Sequence, residues 1–389
     1  MNARTATAAN MDGFTKPAFE KVRETFARNF AERGEVGAAV AVYLDGEPVV
    51  DLWGGETLKK AESSGPWQRD TLVRMMSVNK GVTAICAHML ADRGLLDFDR
   101  AVAFYWPEFA QAGKDKITVG QLVSGMAAMV FPDAVPTGAA FDWNAMVKGL
   151  AEQAPIWEPG TRGAYHSSTY GHLVGEVIHR ITGKLPGVFF REEIGEPLGI
   201  DYWFSVPAAH HHRVSDIKPN PLSVTGSAIA AGGDSPLGRA WRVLPTTSIY
   251  GANDPLNLNN EMPSGYGRGN ARAIGKLFAA LSVGGTLDGV KIMSQASIDR
   301  MRTLQWDGIC GLTGRHFRYA MGLFLSTPEF AYMGPNPDIF GHPGAGGSVG
   351  FVDPARRMSF SYCTNYMCAG AGLGDRCEAL IEAAFTSLE

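Results

Sequence analysis

Ser77-Val78-Asn79-Lys80 opens the stretch of sequence that decides the fold. Apolar residues recur at helical spacing from Val78 to Leu90, and Gly94 ends the pattern, so the sequence predicts a helix that begins at Ser77. Residues three apart share one face of a helix, which puts the Ser77 hydroxyl within reach of the Lys80 amine. A serine needs a nearby base to attack a carbonyl, and a lysine in an apolar site can be that base. The alternative interpretation of Ser77 is an ordinary helix N-cap.

The Ser-x-x-Lys spacing is not informative by itself, because a chain of this length contains about one copy by chance. A second copy, Ser215-Asp216-Ile217-Lys218, is followed by Pro219 and Pro221. Prolines at these positions disfavour a helix. We therefore expect only the first copy to bring a hydroxyl and an amine together.

The bulk composition is that of a soluble globular protein, with 389 residues, 45% hydrophobic and 19% charged. The net charge of −4 gives no reason to expect nucleic acid or a membrane surface as partner. No apolar stretch is long enough to span a membrane. Residues Met1 to Phe14 lack the apolar centre of a secretory signal, so we expect a cytoplasmic protein. The oligomeric state stays open, and a homo-oligomer is compatible with the sequence.

The five cysteines are odd in number and lack a C-x-x-C spacing. They indicate reduced, mostly buried thiols, not a disulfide framework or a zinc site. The run His210-His211-His212 favours a solvated loop over a metal site, because adjacent side chains point apart. Glycines at 265, 267 and 269 follow no predicted strand, so they do not indicate nucleotide binding. We predict no metal and no cofactor.

Predicted strands lie at both ends of the chain. Residues 36–43 and 48–53 form a hairpin around Asp45-Gly46, and strands return at 319–326, 340–342, 348–352 and 358–363. Predicted helices start near Pro17 and Ser77, span 118–124 and 144–152, follow Ser168, and cover 270–283 and 375–385, while 201–265 is expected to be irregular. The pattern predicts an α+β (mixed α/β) fold whose antiparallel sheet is built from both chain termini and flanked by helices. We divide it into a sheet domain, 1–110 with 286–389, and a mostly helical inserted domain, 111–285.

Two further segments suggest chemistry. Tyr165 stands among small and polar residues just before a predicted helix, where a phenol can pass a proton if a nearby ammonium lowers its pKa. The alternative is a half-buried tyrosine that packs the loop. Residues 341–350 contain enough glycine for backbone N–H groups to approach a ligand, as an oxyanion hole requires, although a plain hairpin turn is the alternative.

Two weaker patterns are interpreted structurally. The serine of Gly346-x-Ser348-x-Gly350 is not a nucleophile elbow, because strand and not helix follows it. Ser124-Gly125-Met126 favours a packed turn, although the Met126 side chain could line an acyl pocket.

The order of Ser77-Lys80, Tyr165 and the His342-Pro343-Gly344 strand resembles the serine β-lactamase and penicillin-binding superfamily. The resemblance is to the class C-like branch that includes the family VIII carboxylesterases. Trp157-Glu158-Pro159-Gly160 and Gly350-Phe351-Val352-Asp353-Pro354 also fit that family. The resemblance covers most of the chain and implies a β-lactamase-like fold.

The resemblance also implies a role for each matching residue. Ser77 is the acyl-accepting nucleophile, Lys80 assists its deprotonation, and Tyr165 carries the proton to the leaving group. The N–H groups of Ser77 and Ala345 form the oxyanion hole. Ser167, His342 and Gly344 occupy substrate-binding motif positions, and Met126 is a further candidate for the pocket. Whether Lys80 or Tyr165 is the base stays open.

Two departures from the family motifs bear on the substrate. Ser167 stands where an Asn would contact a β-lactam side chain, and His342 stands where a Lys would attract a substrate carboxylate. A histidine of ordinary pKa is mostly neutral at pH 7. We therefore expect a serine carboxylesterase for neutral, short-chain esters. The alternatives are a β-lactamase, an amidase or peptidase or an acyltransferase using the same residues, and a non-catalytic binding protein.

Overall fold

The computed structural model describes residues 10–59, 64–245 and 254–389. Most of the segment in which we sought an export signal, and part of the region expected to be irregular, lie outside these ranges. Of the helices in the described ranges, none is both long and apolar enough to cross a membrane.

Nine strands form one antiparallel sheet in the order β1-β3-β2-β14-β13-β12-β11-β10-β9. Its strands are β1 Met11–Thr15, β2 Gly37–Leu44, β3 Glu47–Gly55, β9 Trp306–Ile309, β10 His316–Tyr319, β11 Phe324–Leu325, β12 Phe340–Pro343, β13 Val349–Asp353 and β14 Met358–Thr364. The smaller strands are β4 Leu72–Arg74, β5 Val214–Ser215, β6 Arg268–Gly269, β7 Thr286–Leu287 and β8 Val290–Lys291. The predicted α+β class, with its sheet built from both ends of the chain, is confirmed.

Thirteen helices are found in the described ranges. They are α1 Glu20–Glu32, α2 Val78–Asp92, α3 Val102–Tyr105, α4 Val119–Val123, α5 Trp143–Glu152, α6 Tyr170–Thr182, α7 Pro186–Phe190, α8 Val224–Ala230, α9 Pro236–Trp241, α10 Pro255–Asn259, α11 Ala271–Ser282, α12 Gln295–Met301 and α13 Asp375–Thr386. The predicted helices after Ser77, near 118 and 144, after Ser168, and at 270 and 375 are therefore present.

The sheet is covered on both faces, as the central strand β2 shows. Successive side chains of a strand point to opposite faces. Ala39, Ala41 and Tyr43 pack in one core cluster with residues of α2 and α11. Ala38, Val40 and Val42 pack in a second cluster with residues of α1 and α13. This is why the strand is a nearly continuous apolar run and not an alternating one.

The hairpin between β2 and β3 forms as predicted. Asp45 has φ 52° and Gly46 has φ 84°, which is the left-handed pair that a two-residue hairpin turn requires. Leu44 pairs directly with Glu47 across that turn.

Three features of the fold differ from expectation. Strand β1 pairs with β3 at the sheet edge, where the sequence predicted only polar chain and the start of a helix. Strand β9 extends the opposite edge. The region 201–265 contains the short helices α8, α9 and α10, each of only five to seven residues. Elements this short contain too few periods for a sequence pattern to stand out.

The proposed division into two domains stays a prediction. Helix α11 falls inside the predicted insertion, yet it packs against β2, β13 and β14. Its Gly275 lies so close to the sheet that a Cβ atom there would be 3.0 Å from the Tyr43 ring. The helix therefore covers one face of the sheet.

Candidate active site

Ser77 follows a turn that two neighbouring segments hold in place. Strand β4 pairs with β6, and the Met75 N–H donates to the Gly267 carbonyl at 3.0 Å. Met76 has φ 51°, a left-handed conformation that is uncommon for a residue other than glycine. Such backbone conformations cost free energy and persist where the surrounding structure fixes them, often at functional sites.

The Ser77 side chain is not a helix cap. It stands at the N-cap position of α2, but its hydroxyl makes no capping hydrogen bond. Instead, Lys80 Nζ lies 3.2 Å from Ser77 Oγ. The helical spacing therefore brings the two groups together, as the sequence predicted.

Lys80 is a fully buried amine. Burial lowers its pKa well below the ordinary value, because a charged ammonium loses its hydration there. The amine also donates to the main-chain carbonyl of Ser264. Its Nζ is 4.9 Å from the centre of the Tyr165 ring, so three predicted residues lie in one cluster.

Tyr165 reaches the same place from the loop before α6. Its hydroxyl is hydrogen-bonded to the Ser77 side chain, while burial raises its pKa above the ordinary value. The Tyr165 N–H donates to Cys310 Sγ at 3.2 Å, and the ring packs 6.1 Å from the Phe317 ring. Tyr165 therefore packs the loop and also contacts Ser77, whereas its pKa is raised and not lowered as the proton-transfer interpretation assumed; that role stays a prediction.

Ser264 is a site residue that the sequence analysis missed. Its hydroxyl donates to the Ser168 carbonyl at 2.6 Å and accepts from the Gly171 N–H at 2.8 Å. These bonds fix the carbonyl that accepts from Lys80. A contact made through a main-chain carbonyl can involve any residue type, so no sequence signal could have identified it.

The glycines near residue 265 allow this segment to pass close to α2. A Cβ atom on Gly267 would lie 2.0 Å from the Tyr202 hydroxyl and 2.4 Å from Asn79 Oδ1. Gly267 therefore allows close packing of this segment against α2.

The turn after β12 meets the segment that precedes Ser77. A Cβ atom on Gly344 would lie 2.5 Å from the Met75 carbonyl oxygen, so only glycine fits there. Ala345 follows and lines the same cavity as Ser77. Within the described chain, the N–H groups of these two residues donate to no other residue. Both donors are therefore free to bind a ligand oxygen.

His342 lies behind the cavity and is completely buried. Burial, with a smaller contribution from Lys80, lowers its pKa to about 3, so it is uncharged at neutral pH. Its Nδ1 lies 2.8 Å from the Pro343 carbonyl. The expectation that His342 contacts substrate needs correction, because the side chain does not line the cavity.

The cavity has a volume of about 310 Å³ and includes Ser77, Tyr165, Ser167, Gly344 and Ala345 in its lining. Met126 is absent from this lining. Its N–H donates to the Gln121 carbonyl and its carbonyl accepts from the Gly160 N–H, both at 2.8 Å. Met126 thus belongs to the packed turn that the sequence favoured, and the idea that it lines the pocket is wrong.

Groups of three or more His, Cys, Asp or Glu side chains placed to hold a metal do not occur in the described residues. The three adjacent histidines lie in a short 3₁₀ helix, Ala208–Arg213, where His211 Nε2 is 2.8 Å from the Val206 carbonyl. All five cysteines are buried and free of disulfides.

A β-lactamase fold with a serine and a buried lysine at its cavity defines a class of serine hydrolases, and comparison with known proteins supports this. The beta-lactamase family matches residues 22–379. The chain therefore belongs to the beta-lactamase family and is a serine hydrolase of the β-lactamase and penicillin-binding superfamily.

Individual relatives agree with this assignment. The esterase/beta-lactamase LipL of Mycobacterium tuberculosis is 32% identical over 371 residues, covering 91% of this chain and 82% of LipL. A crystal structure of a family VIII carboxylesterase matches with a TM-score of 0.88 and 38% identity, covering 97% of this chain and 100% of the other. A penicillin-binding protein homologue from Caulobacter crescentus matches with a TM-score of 0.86 and 38% identity over the same shares. The resemblance inferred from the motifs is confirmed.

Proposed function

We propose that this protein is a carboxylesterase that hydrolyses neutral, short-chain esters through an acyl-Ser77 intermediate. The observation that carries the proposal is the pair of Ser77 and Lys80, in which a fully buried amine lies 3.2 Å from the hydroxyl oxygen. Related proteins described as an esterase/beta-lactamase and as a family VIII carboxylesterase support this choice of reaction.

In the acylation step, Ser77 Oγ attacks the ester carbonyl carbon and its proton passes to the neutral Lys80 amine. The carbonyl oxygen becomes an oxyanion that accepts hydrogen bonds from the N–H groups of Ser77 and Ala345. Collapse of this intermediate breaks the bond to the alcohol oxygen. That oxygen takes the proton from Lys80 through the Tyr165 hydroxyl, and the alcohol leaves neutral.

Deacylation repeats the sequence with water. Water attacks the acyl carbon, its proton passes to the same Lys80 and Tyr165 pair, and the bond to Ser77 Oγ breaks. Ser77 recovers its proton, so the enzyme returns to its starting state with no net change.

The directions of the two pKa shifts favour Lys80 as the base. Burial lowers the pKa of Lys80, which raises the fraction of neutral amine that can accept a proton. Burial raises the pKa of Tyr165, which keeps the phenol protonated. Tyr165 then acts as a relay that donates one proton as it accepts another.

The preference for a neutral group near the scissile bond rests on His342 and Ser167. His342 is uncharged and buried, so it offers no fixed cation. Ser167 Oγ accepts a hydrogen bond from Trp241 Nε1 at 2.9 Å, so the residue is part of the cavity wall. The cavity of about 310 Å³ is at the small end for ligand pockets, which favours short acyl groups.

Covalent labelling tests the proposal. A fluorophosphonate should add to one residue, and peptide mapping by mass spectrometry should place the adduct on Ser77. A nitrophenyl butyrate should be turned over much faster than a chromogenic cephalosporin. Labelling at another serine, or faster turnover of the cephalosporin, contradicts the proposal. The oligomeric state stays open, and sedimentation would determine it.

A further inference from the structure

Two arginines line the cavity. Arg74 and Arg315 both line it, whereas none of the described residues that line it is an Asp or a Glu. Arg74 is buried beside the Ser77 turn, with its Nε 3.2 Å from Met76 Sδ. Arg315 is half-buried and reaches the cavity from the turn between β9 and β10.

Within the described residues, the guanidinium of Arg315 has no ion pair or hydrogen bond. It lies over the Phe330 ring, 5.6 Å from the ring centre. The nearby carboxylates serve other partners: Asp307 is 2.6 Å from His316, and Glu329 is 3.9 Å from the same histidine. Burial lowers the pKa of Arg315, but an arginine remains a cation at neutral pH.

Arg315 stands at a fixed place relative to the catalytic groups. The Phe330 ring stacks 4.6 Å from the Phe317 ring, which in turn lies 6.1 Å from the Tyr165 ring. The same turn is joined to the Tyr165 loop, because Cys310 Sγ accepts from the Tyr165 N–H. Gly311 N–H also donates to the Gly163 carbonyl at 3.0 Å. A chain of contacts through two aromatic rings therefore connects the cation to Tyr165.

A half-buried cation without a counter-ion loses hydration that nothing in the protein replaces. A ligand carboxylate would replace it, because a guanidinium binds a carboxylate through two parallel charge-assisted hydrogen bonds. The rings of Phe317 and Phe330, which also line the cavity, suit the apolar part of such a ligand.

We propose that Arg315 binds an anionic group, such as a carboxylate, at the end of the substrate remote from the scissile ester. This inference rests on the proposed esterase function and revises its substrate class, from an ester that is neutral throughout to a longer one with a remote anionic group. The neutral character expected near His342 concerns the part of the substrate next to the reacting carbon. The anionic group belongs at the other end, either on the acyl chain or on the alcohol.

Matched substrates test this inference. In one arm, 4-nitrophenyl monoesters of medium-chain dicarboxylic acids are compared with the same compounds capped as methyl esters. In the other arm, butyrate esters of a hydroxyphenylalkanoic acid are compared with their methyl esters. The wild-type enzyme should prefer the free carboxylate in one arm, and that arm shows whether the anion lies on the acyl or the alcohol side.

Variants of Arg315 give the control. Arg315→Gln should lower kcat/KM for the preferred carboxylate substrate by about tenfold or more, the size of a charge-assisted contact, and leave the capped substrate unchanged. Arg315→Lys should keep part of the preference. Arg28→Gln, on the distant helix α1, removes one positive charge outside the cavity and should change neither substrate.

The inference is wrong if neither arm shows a preference, or if Arg315→Gln affects charged and capped substrates equally. If the wild-type protein hydrolyses none of these esters, the proposed function is wrong instead. In that event, calorimetric binding of the same carboxylates to Ser77→Ala, with and without Arg315→Gln, still tests Arg315. Equal affinities, or no binding to either protein, would overturn the Arg315 assignment.

Discussion

The two Ser-x-x-Lys copies of this chain share a spacing but little else. Ser77 and Lys80 share a helical turn, with the amine fully buried and 3.2 Å from the hydroxyl. Ser215 lies in strand β5, where its Oγ accepts from the Leu58 N–H at 2.9 Å, and Lys218 is exposed over the Tyr366 ring. The comparison shows that the helix and the burial, not the motif, bring a hydroxyl and a buried amine together.

The largest expected effect is on the nucleophile. Ser77→Ala should lower kcat/KM for a nitrophenyl ester by about 10⁴-fold or more, because no acyl-enzyme can form. The matched change Ser215→Ala should leave kcat/KM within about twofold, since this hydroxyl lies in a packed strand pair. Equal losses of kcat/KM in the two variants would show that the two Ser-x-x-Lys copies do not differ in their contribution to activity.

Next is the amine. Lys80→Met should lower kcat by about 10³-fold through loss of the base, whereas Lys218→Met should leave kcat unchanged. The melting temperature of Lys80→Met should not fall, because an apolar side chain of similar length replaces a buried polar one. A lower melting temperature together with nearly normal kcat would show that Lys80 is structural.

Each copy has a tyrosine beside its lysine, because Lys80 Nζ lies 4.9 Å from the Tyr165 ring centre and Lys218 Nζ lies 4.8 Å from the Tyr366 ring centre. Of the two tyrosines, Tyr165 is the one whose hydroxyl is hydrogen-bonded to the serine of its copy, Ser77. Tyr165→Phe should keep the ring packing against Phe317 and lower kcat by about 10²-fold through loss of the proton relay. Circular dichroism and the melting temperature serve as the control for packing. Full activity in this variant would remove the tyrosine from the mechanism.

The pH dependence is a smaller effect with a definite sign. Because the neutral amine is the reactive form and burial lowers its pKa, kcat/KM should rise about tenfold per pH unit and level off well below pH 10.5. The unfolded chain binds a proton at Lys80 that the folded chain releases, so the free energy of unfolding rises with pH between the two pKa values. Urea titrations of wild type and Lys80→Met should show this rise only in the wild type, and Lys218→Met should behave as wild type.

The smallest expected effect is a change in the free energy of unfolding when Ser215 of the second Ser-x-x-Lys copy is substituted. Ser215→Ala removes the acceptor for the Leu58 N–H and should lower the free energy of unfolding by about 1 to 3 kcal/mol. Chemical denaturation measures this loss while esterase activity remains. No change in stability would mean that water replaces the lost contact.

The features that could be predicted from sequence depend on residues that lie close together along the chain. The proximity of Ser77 and Lys80 follows from helical spacing, and the β2–β3 hairpin follows from its Asp-Gly turn. The assignment of Tyr165 and Ala345 depended on the order of motifs along the chain, since nothing local joins them to Ser77.

The remaining features depend on tertiary packing. Ser264 contributes a main-chain carbonyl, and Cys310 contributes an acceptor for the Tyr165 N–H, so neither forms a recognisable motif. His342 and Met126 match plausible binding positions, but neither is in the cavity lining, because His342 is fully buried and Met126 belongs to a packed turn. Only the folded structure shows which side of a segment faces the ligand.

Strand β2 has a consequence for how the protein is made. Its residues Gly37–Leu44 are almost all apolar, and one of its two partners, β14, is synthesised long after it. Until Met358–Thr364 has been synthesised, the nascent chain carries an open apolar strand edge, which is a template for aggregation. Production of the protein should therefore depend on chaperones that shield this edge, and truncation before residue 358 should send the chain into inclusion bodies.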